Sequence, residues 1–269
     1  MMPGSVKSAT PRFRAIVLAG ERPGGGKLAR EFRVPAGVMV EVAGKPSLER
    51  VMRAIENSGY ADAGITCGPP EAAVAGDAAL QELLTSPWRW LQPASGPAAS
   101  ALTAVEALDH FPTLLTAGDH ALLTPGMVDT FCRQASLADD ADTVVGLVPH
   151  ARVQSAWPES RRTVLRFADG GYCGANLFAV LSPRGKLALA FWQQVENDRK
   201  RPWRIAWRLG IKALLRYLLR RSTLEEALDL LSERAGCRVR HVLLDDPRAA
   251  VDVDSLADQR LAERILSAN

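Results

Sequence analysis

Residues 15–30 read AIVLAGERPGGGKLAR. The run Ala15-Ile16-Val17-Leu18-Ala19 is continuously apolar, with β-branched residues at its centre, and it stops at Gly20. Such a run, without polar alternation, suits a strand covered on both faces, as in a parallel sheet. Residues 20–37 are dense in Gly, Pro and Arg and read as a loop. Glycines 20, 24, 25 and 26 let a backbone approach a phosphate chain and turn N–H groups towards it. Arg22, Lys27 and Arg30 offer positive charge against a triphosphate. The loop is neither a Walker A loop nor a GxGxxG fingerprint, so taken alone it competes with a plain surface loop.

Moving outward, strand-like and helical segments alternate. A short strand at 38–42 precedes Gly44-Lys45-Pro46 and a helix capped by Ser47, in which Leu48, Val51, Met52 and Ile55 recur at helical spacing before Gly59. A strand at 63–67 ends at Gly68-Pro69-Pro70. Helical sequence at 72–84, a loop at 92–100 and a helix at 101–108 follow. The buried strand Thr113–Ala117 is cut off at Gly118-Asp119-His120, Pro125 opens a helix, and 143–148 is a strand. This order predicts βαβ units with right-handed crossovers. The second half reads as strands at 163–167 and 176–180 around the turn Ala168-Asp169-Gly170-Gly171, a long helical stretch over 183–221, a strand at 239–244 and a closing helix at 255–268. The expected fold is a three-layer α/β/α, Rossmann-like, mostly parallel sheet with helices on both faces and a helical insertion in the second half.

The chain has 269 residues and a formal charge of +3. That length is enough to bury about three quarters of the unfolded surface without staples. The slight surplus of charge and the lack of an RNA-reading motif argue against nucleic acid as a partner. Cys67, Cys132, Cys173 and Cys237 are far apart, with no CxxC. This excludes a disulfide framework or zinc ribbon and predicts buried thiols in a reducing cytoplasm. Residues 1–12 read as a disordered tail without a secretory apolar core. Residues 13–269 read as one domain, with a nucleotide-binding half at 13–150 and an acceptor half at 151–269. No residue pattern fixes an oligomeric state.

Ligands of open α/β sheets bind beyond the carboxyl ends of the strands. Asp119 stands at such an end, and a carboxylate there suits Mg²⁺, which takes oxygen ligands together with substrate phosphates. AVDVDSLADQRLAERIL, residues 250–266, puts Asp252 and Asp254 at a strand-like end before the last helix. Two carboxylate sites on distant strand ends can share one Mg²⁺. Each acid taken alone reads first as an N-cap or turn former.

The ordered trio LAGERPGGGKLAR (18–30), LLTAGDHALLTP (114–125) and VDVDSLADQRLAERIL (251–266) resembles the molybdenum-cofactor guanylyltransferase-like NTP transferases, a nucleotidyltransferase family of GT-A-type, Rossmann-like fold. The likeness runs from about residue 13 to 266 and includes VAGKPSLERVMRAIENSG (42–59). It implies attack of an acceptor's phosphate oxygen on the α-phosphorus of an NTP, with release of pyrophosphate. It further implies that Leu18, Ala19 and Gly20 wall the base and ribose. Gly24, Gly25, Gly26 and Lys27 would lie under the phosphates, with Arg22 as a clamp. Asp119 matches the metal-binding aspartate, and Asp252 or Asp254 the second ligand. LQPASGPAASAL (91–102) resembles the loop near the nucleobase, which makes Pro93, Ser95, Gly96 and Ser100 base-side candidates. GYCGANLF (171–178) resembles the acceptor segment, with Asn176 as its hydrogen-bonder.

The pattern is broken in two places. Glu21 replaces the second glycine of the usual pair, and Gly37 and Val38 stand where related sequences carry a lysine; Lys45 substitutes only if its loop comes round. A weakened or merely nucleotide-sensing protein is therefore the alternative, and a GT-A glycosyltransferase using Asp252-Val253-Asp254 a more distant one. His120 is expected to satisfy a backbone carbonyl or meet a phosphate. In the basic segment 186–221, a helix starting at Pro202 would align Trp203, Trp207, Ile211, Leu214 and Leu218 beside Arg204, Arg208, Lys212, Arg216 and Arg220. The helix at 203–220 is expected to pack on the sheet with a solvated basic edge, or else to lie on an anionic membrane surface.

Overall fold

The protein is described from a computed structural model over residues 12–21, 26–198 and 210–268. Ten strands are present among the described residues: β1 Phe13–Leu18, β2 Glu41–Val42, β3 Lys45–Pro46, β4 Ala61–Cys67, β5 Arg89–Leu91, β6 Thr113–Ala117, β7 Thr143–Pro149, β8 Leu165–Phe167, β9 Gly170–Val180 and β10 Val239–Leu243. The helices are α1 Lys27–Phe32, α2 Ser47–Glu56, α3 Glu71–Ala75, α4 Ala78–Leu83, α5 Pro97–Leu108, α6 Pro125–Ala135, α7 His150–Ala156, α8 Lys186–Asn197, α9 Ile211–Leu218, α10 Leu224–Ala235 and α11 Leu256–Ser267. The main sheet has eight strands in the order β10-β7-β9-β6-β1-β4-β5, with β8 paired to β9. β9 runs antiparallel to β6, β7 and β8, while β1 is parallel to β4 and β6, β4 to β5, and β7 to β10. This is the mostly parallel α/β sheet that the apolar runs predict.

β1 is central because it is apolar on both faces: Ala15, Ile16 and Val17 are all fully buried. Ala15 and Val17 belong to one apolar core, with Leu48, Met52, Ile55 and Phe131. Ile16 belongs to another, with Ile65, Ala101, Ala104 and Leu115. Odd and even positions of one strand thus serve opposite layers.

Several boundaries differ from expectation. The segment at 38–42 is a 3₁₀ turn, Gly37–Met39, followed by the two-residue β2. Pro46 caps α2, and the Ser47 hydroxyl donates instead to the Val40 carbonyl at 3.1 Å. The helical sequence at 72–84 divides into α3 and α4, because Asp77 caps a new start by accepting from the Leu80 N–H. α5 begins four residues early, since Pro97 occupies its first turn, where no N–H is required. Asp252 does not end a strand; the 3₁₀ turn Pro247–Ala250 stands between it and β10. The stretch 183–221 is not one helix. Trp203, Arg204, Trp207 and Arg208 lie outside the described residues, and Gly210, at φ 92°, caps the separate helix α9.

All four cysteines are buried and free. No helix among the described residues is long and apolar enough to cross a membrane.

Candidate active site at the carboxyl edge of the sheet

β1 and β6 run side by side, with Leu18 opposite Ala117. Their pairing extends one step further, as the Gly118 N–H donates to the Leu18 carbonyl at 2.8 Å. Asp119 therefore emerges beside Ala19 and Gly20. A Cβ at position 118 would lie 3.4 Å from the Ala19 Cβ and closer still to Val38 and Leu48, so the two loops meet in close contact.

The C-terminal acids reach the same place through alternation. Val251 and Val253 are buried, while Asp252 and Asp254 between and after them are not. Both valines share an apolar cluster with Leu28, Ala121, Leu122, Leu261 and Ile265. The Val253 N–H donates to the Asp119 carbonyl at 3.0 Å. The sequence VDVD thus buries one residue type and turns the other towards the β6 end. Leu28 in that cluster also brings the start of α1, and with it Lys27, to this edge. Lys27 itself is exposed.

The electrostatics of the acids follow from this convergence. Burial, and then the charges of Asp252 and Asp254, push the Asp119 carboxyl up to about 7. Its Oδ1 is buried without a hydrogen-bond partner. The orphaned oxygen, with the negative charges of Asp252 and Asp254 acting on its carboxyl, suits a cation. No group of three or more His, Cys, Asp or Glu side chains among the described residues is placed to hold a metal by itself. The donor set matches Mg²⁺ held by one or two carboxylates with phosphates completing the shell.

Arg162 is a site residue that sequence reasoning missed. Its side chain is 8% exposed, and it donates to Asp252 Oδ1 at 2.6 Å and to Asp258. It also reaches the Asp252 carbonyl and the Ser160 hydroxyl. Asn176, at φ 49°, occupies the left-handed region at an irregularity of the β7–β9 ladder, a conformation Asn tolerates better than most side chains. Its Nδ2 donates to Asp252 Oδ2 at 3.5 Å. Asp252 is therefore held from two sides.

His120 is fully buried beside the site. Burial drives its pKa down to about 4 against the pull of Asp252, the Arg248 backbone and Asp246. The Arg248 carbonyl is the backbone group that faces the ring, although neither ring nitrogen makes a hydrogen bond of ordinary geometry.

Glu21 accepts the Gly37 N–H at 2.6 Å. Its Oε1 would stand 2.6 Å from a Cβ on residue 26, which gives Gly26 a local steric reason. Arg22, Gly24 and Gly25 lie outside the described residues. Lys45 pairs with Glu49 at 3.5 Å on the adjoining helix.

The loop before α5 lies beside β1: a Cβ on Gly20 would meet the Pro93 Cβ at 3.4 Å. The Ser100 hydroxyl accepts the Ala94 N–H at 2.9 Å and so shapes the loop from within. Ser95 is exposed and Gly96 half-buried. Glu196 at the end of α8, also missed, accepts the Ala98 N–H at 3.0 Å and closes the N-terminus of α5.

A family model described as the MobA-like NTP transferase domain matches residues 15–245. No curated protein matches the chain. A solved structure described as a hypothetical transferase from Thermus thermophilus is 27% identical, with a TM-score of 0.76, over 92% of this chain and 99% of that one. The 4-diphosphocytidyl-2C-methyl-D-erythritol synthase from Anaerococcus prevotii is 13% identical, with a TM-score of 0.58 over 96% of this chain and 100% of its own. A CMP:2-keto-3-deoxy-manno-octonic acid synthetase in complex with CTP is 12% identical, with a TM-score of 0.52 over 95% and 99%. At these identities the last two show likeness of fold.

Proposed function

The chain belongs to the MobA-like NTP transferase family and is a nucleotidyltransferase, and on that premise we propose that it uses Mg²⁺ to transfer an NMP from an NTP to a phosphorylated small-molecule acceptor. The observation that carries this reading is the meeting of Asp119 with the Asp252/Asp254 segment beside the end of β1. Residues 13–150 form the nucleotide half and 151–269 the acceptor half.

Leu18, Ala19 and Gly20 flank the base and ribose, with Pro93, Ser95, Gly96 and Ser100 on the base side. Gly24, Gly25, Gly26, Lys27 and Arg22 receive the phosphates. Asp119 and one of Asp252 and Asp254 would hold Mg²⁺, whose chemistry there would be neutralisation of phosphate charge. Arg162 and Asn176 fix Asp252 on the acceptor side. An acceptor phosphate oxygen then bonds to the α-phosphorus as the bond to the bridging oxygen breaks, and pyrophosphate leaves with that electron pair. The protein supplies position and charge, and no covalent nucleophile is needed.

Two solved structures of this fold carry cytidine nucleotides in their names, one of them bound to CTP. CTP is therefore the first of four NTPs to test. Pyrophosphate release with CTP, GTP, ATP and UTP against a panel of sugar and polyol phosphates tests the reading; Asp119→Ala is expected to abolish release while the variant still folds. Full turnover in that variant would refute it. The Glu21 carboxylate beside Gly26 favours a second reading, a protein that binds nucleotide without turnover. Nucleotide-dependent stabilisation without pyrophosphate release from any pair would select that one.

A further inference from the structure

Helix α9 leaves a face that nucleotidyl transfer does not use. Its other side is anchored: the Tyr217 ring meets Phe167 of β8 edge-on, with centroids 5.4 Å apart. Arg216 pairs with Glu226 of α10 at 2.8 Å. Leu215, Leu218 and Leu219, at i, i+3 and i+4, are instead 51%, 64% and 61% exposed. Leu218, expected on the packed stripe, faces water because Tyr217 makes the contact with the sheet.

Charge surrounds these leucines. Arg220 and Arg221 follow them and are exposed. Between Asp198 and Ser222 the sequence has nine Lys or Arg and no Asp or Glu. With +3 for the whole chain, the remainder carries 3 − 9 = −6. Exposed arginines next to three exposed leucines on one helical face, within a stretch of sequence rich in cations, combine the two features that bind helices to anionic interfaces. A symmetric contact with a second copy would set this cationic patch against itself. A nucleic-acid backbone would use the arginines and leave the leucines wet. With eight residues, α9 is too short to span a bilayer, so a membrane contact through it would run along the surface.

We propose that the Leu215–Leu218–Leu219 face of α9 docks on an anionic lipid surface, with the leucines entering the headgroup–acyl boundary and Arg220 and Arg221 meeting lipid phosphates. Co-sedimentation of the full chain with phosphatidylcholine vesicles, with and without phosphatidylglycerol, tests this. The chain is expected to sediment only with the anionic vesicles, and less as salt is raised. Both the triple variant Leu215→Ser/Leu218→Ser/Leu219→Ser and the double variant Arg220→Glu/Arg221→Glu are expected to lose about tenfold in binding. All five side chains are exposed, so the thermal midpoint should stay unchanged. Wild-type chain left in the supernatant with anionic vesicles would overturn the proposal, as would a leucine variant that sediments like wild type. A dimer in size-exclusion chromatography that the leucine variant dissolves would also overturn it, assigning the face to self-association.

Discussion

Asp119 pays the main energetic penalty in the site. Its carboxyl is pushed from 3.8 to about 7, first by burial and then by Asp252 and Asp254. An acid whose folded pKa exceeds its unfolded one binds its proton more tightly when folded, so stability falls as pH rises from about 4 to about 7. Asp119→Asn should therefore stabilise the metal-free protein at pH 8, on the order of a few kcal/mol, with the gain vanishing below pH 4. Denaturant midpoints at both pH values check this, and a destabilised variant at pH 8 would contradict it. His120, lowered to about 4, acts in the opposite direction between pH 4 and 6.5 but is common to both proteins. Arg162 makes the complementary case. Removing one partner from a buried ion pair costs about 3 kcal/mol. Arg162→Met is expected to approach that loss in urea unfolding. Combining it with Asp258→Leu should recover part of the loss, because the two side chains share one bridge. Asp119 was legible because a lone acid ended an apolar run. Arg162 was not, since nothing distinguishes Arg161 from Arg162 until the chain folds and only one of them meets Asp252.

At the level of elements, β1, β6 and β7 were legible because their apolar runs end at turn residues or are followed by helical sequence, and β10 because its flanking apolar residues stop at Asp245-Asp246-Pro247. Short elements were missed for physical reasons. β5 has three residues and no period to detect. α5 starts ahead of its helical pattern because Pro97, a loop residue by composition, is also suited to the first turn of a helix. α10 carries a readable sign in its sequence, since Thr223 and Glu226 form a capping box. The α8–α5 link has a testable consequence. Glu196 serves the Ala98 N–H in the first turn of α5, so Glu196→Ala should cost about 1 kcal/mol, as loss of a helix cap does. It should also raise the KM for NTP, since the loop at 93–96 leads directly into that turn. Loss of stability with an unchanged KM would show that the link only holds α8 in place.

Across the whole molecule, the placement of ligands from chain positions 119 and 252–254 depends on packing that no local pattern displays. The C-terminal helix buries Leu261, Ala262 and Ile265 against Ala121 and Leu122, and Gln259 donates to the Glu41 carbonyl at 3.1 Å. These contacts draw a segment more than a hundred residues distant in sequence onto the end of β6. The ordered motifs made this juxtaposition an expectation, and the Val–Asp alternation supplies its mechanism. The central claim is that both acidic segments serve one divalent cation beside the nucleotide. Titrating Mn²⁺ into the CTP-saturated protein and its Asp119→Asn and Asp252→Asn/Asp254→Asn variants, read by electron paramagnetic resonance, tests it directly. The account predicts one tight nucleotide-dependent Mn²⁺ in the wild type, weakened in both variants; unchanged Mn²⁺ affinity in either variant would contradict it.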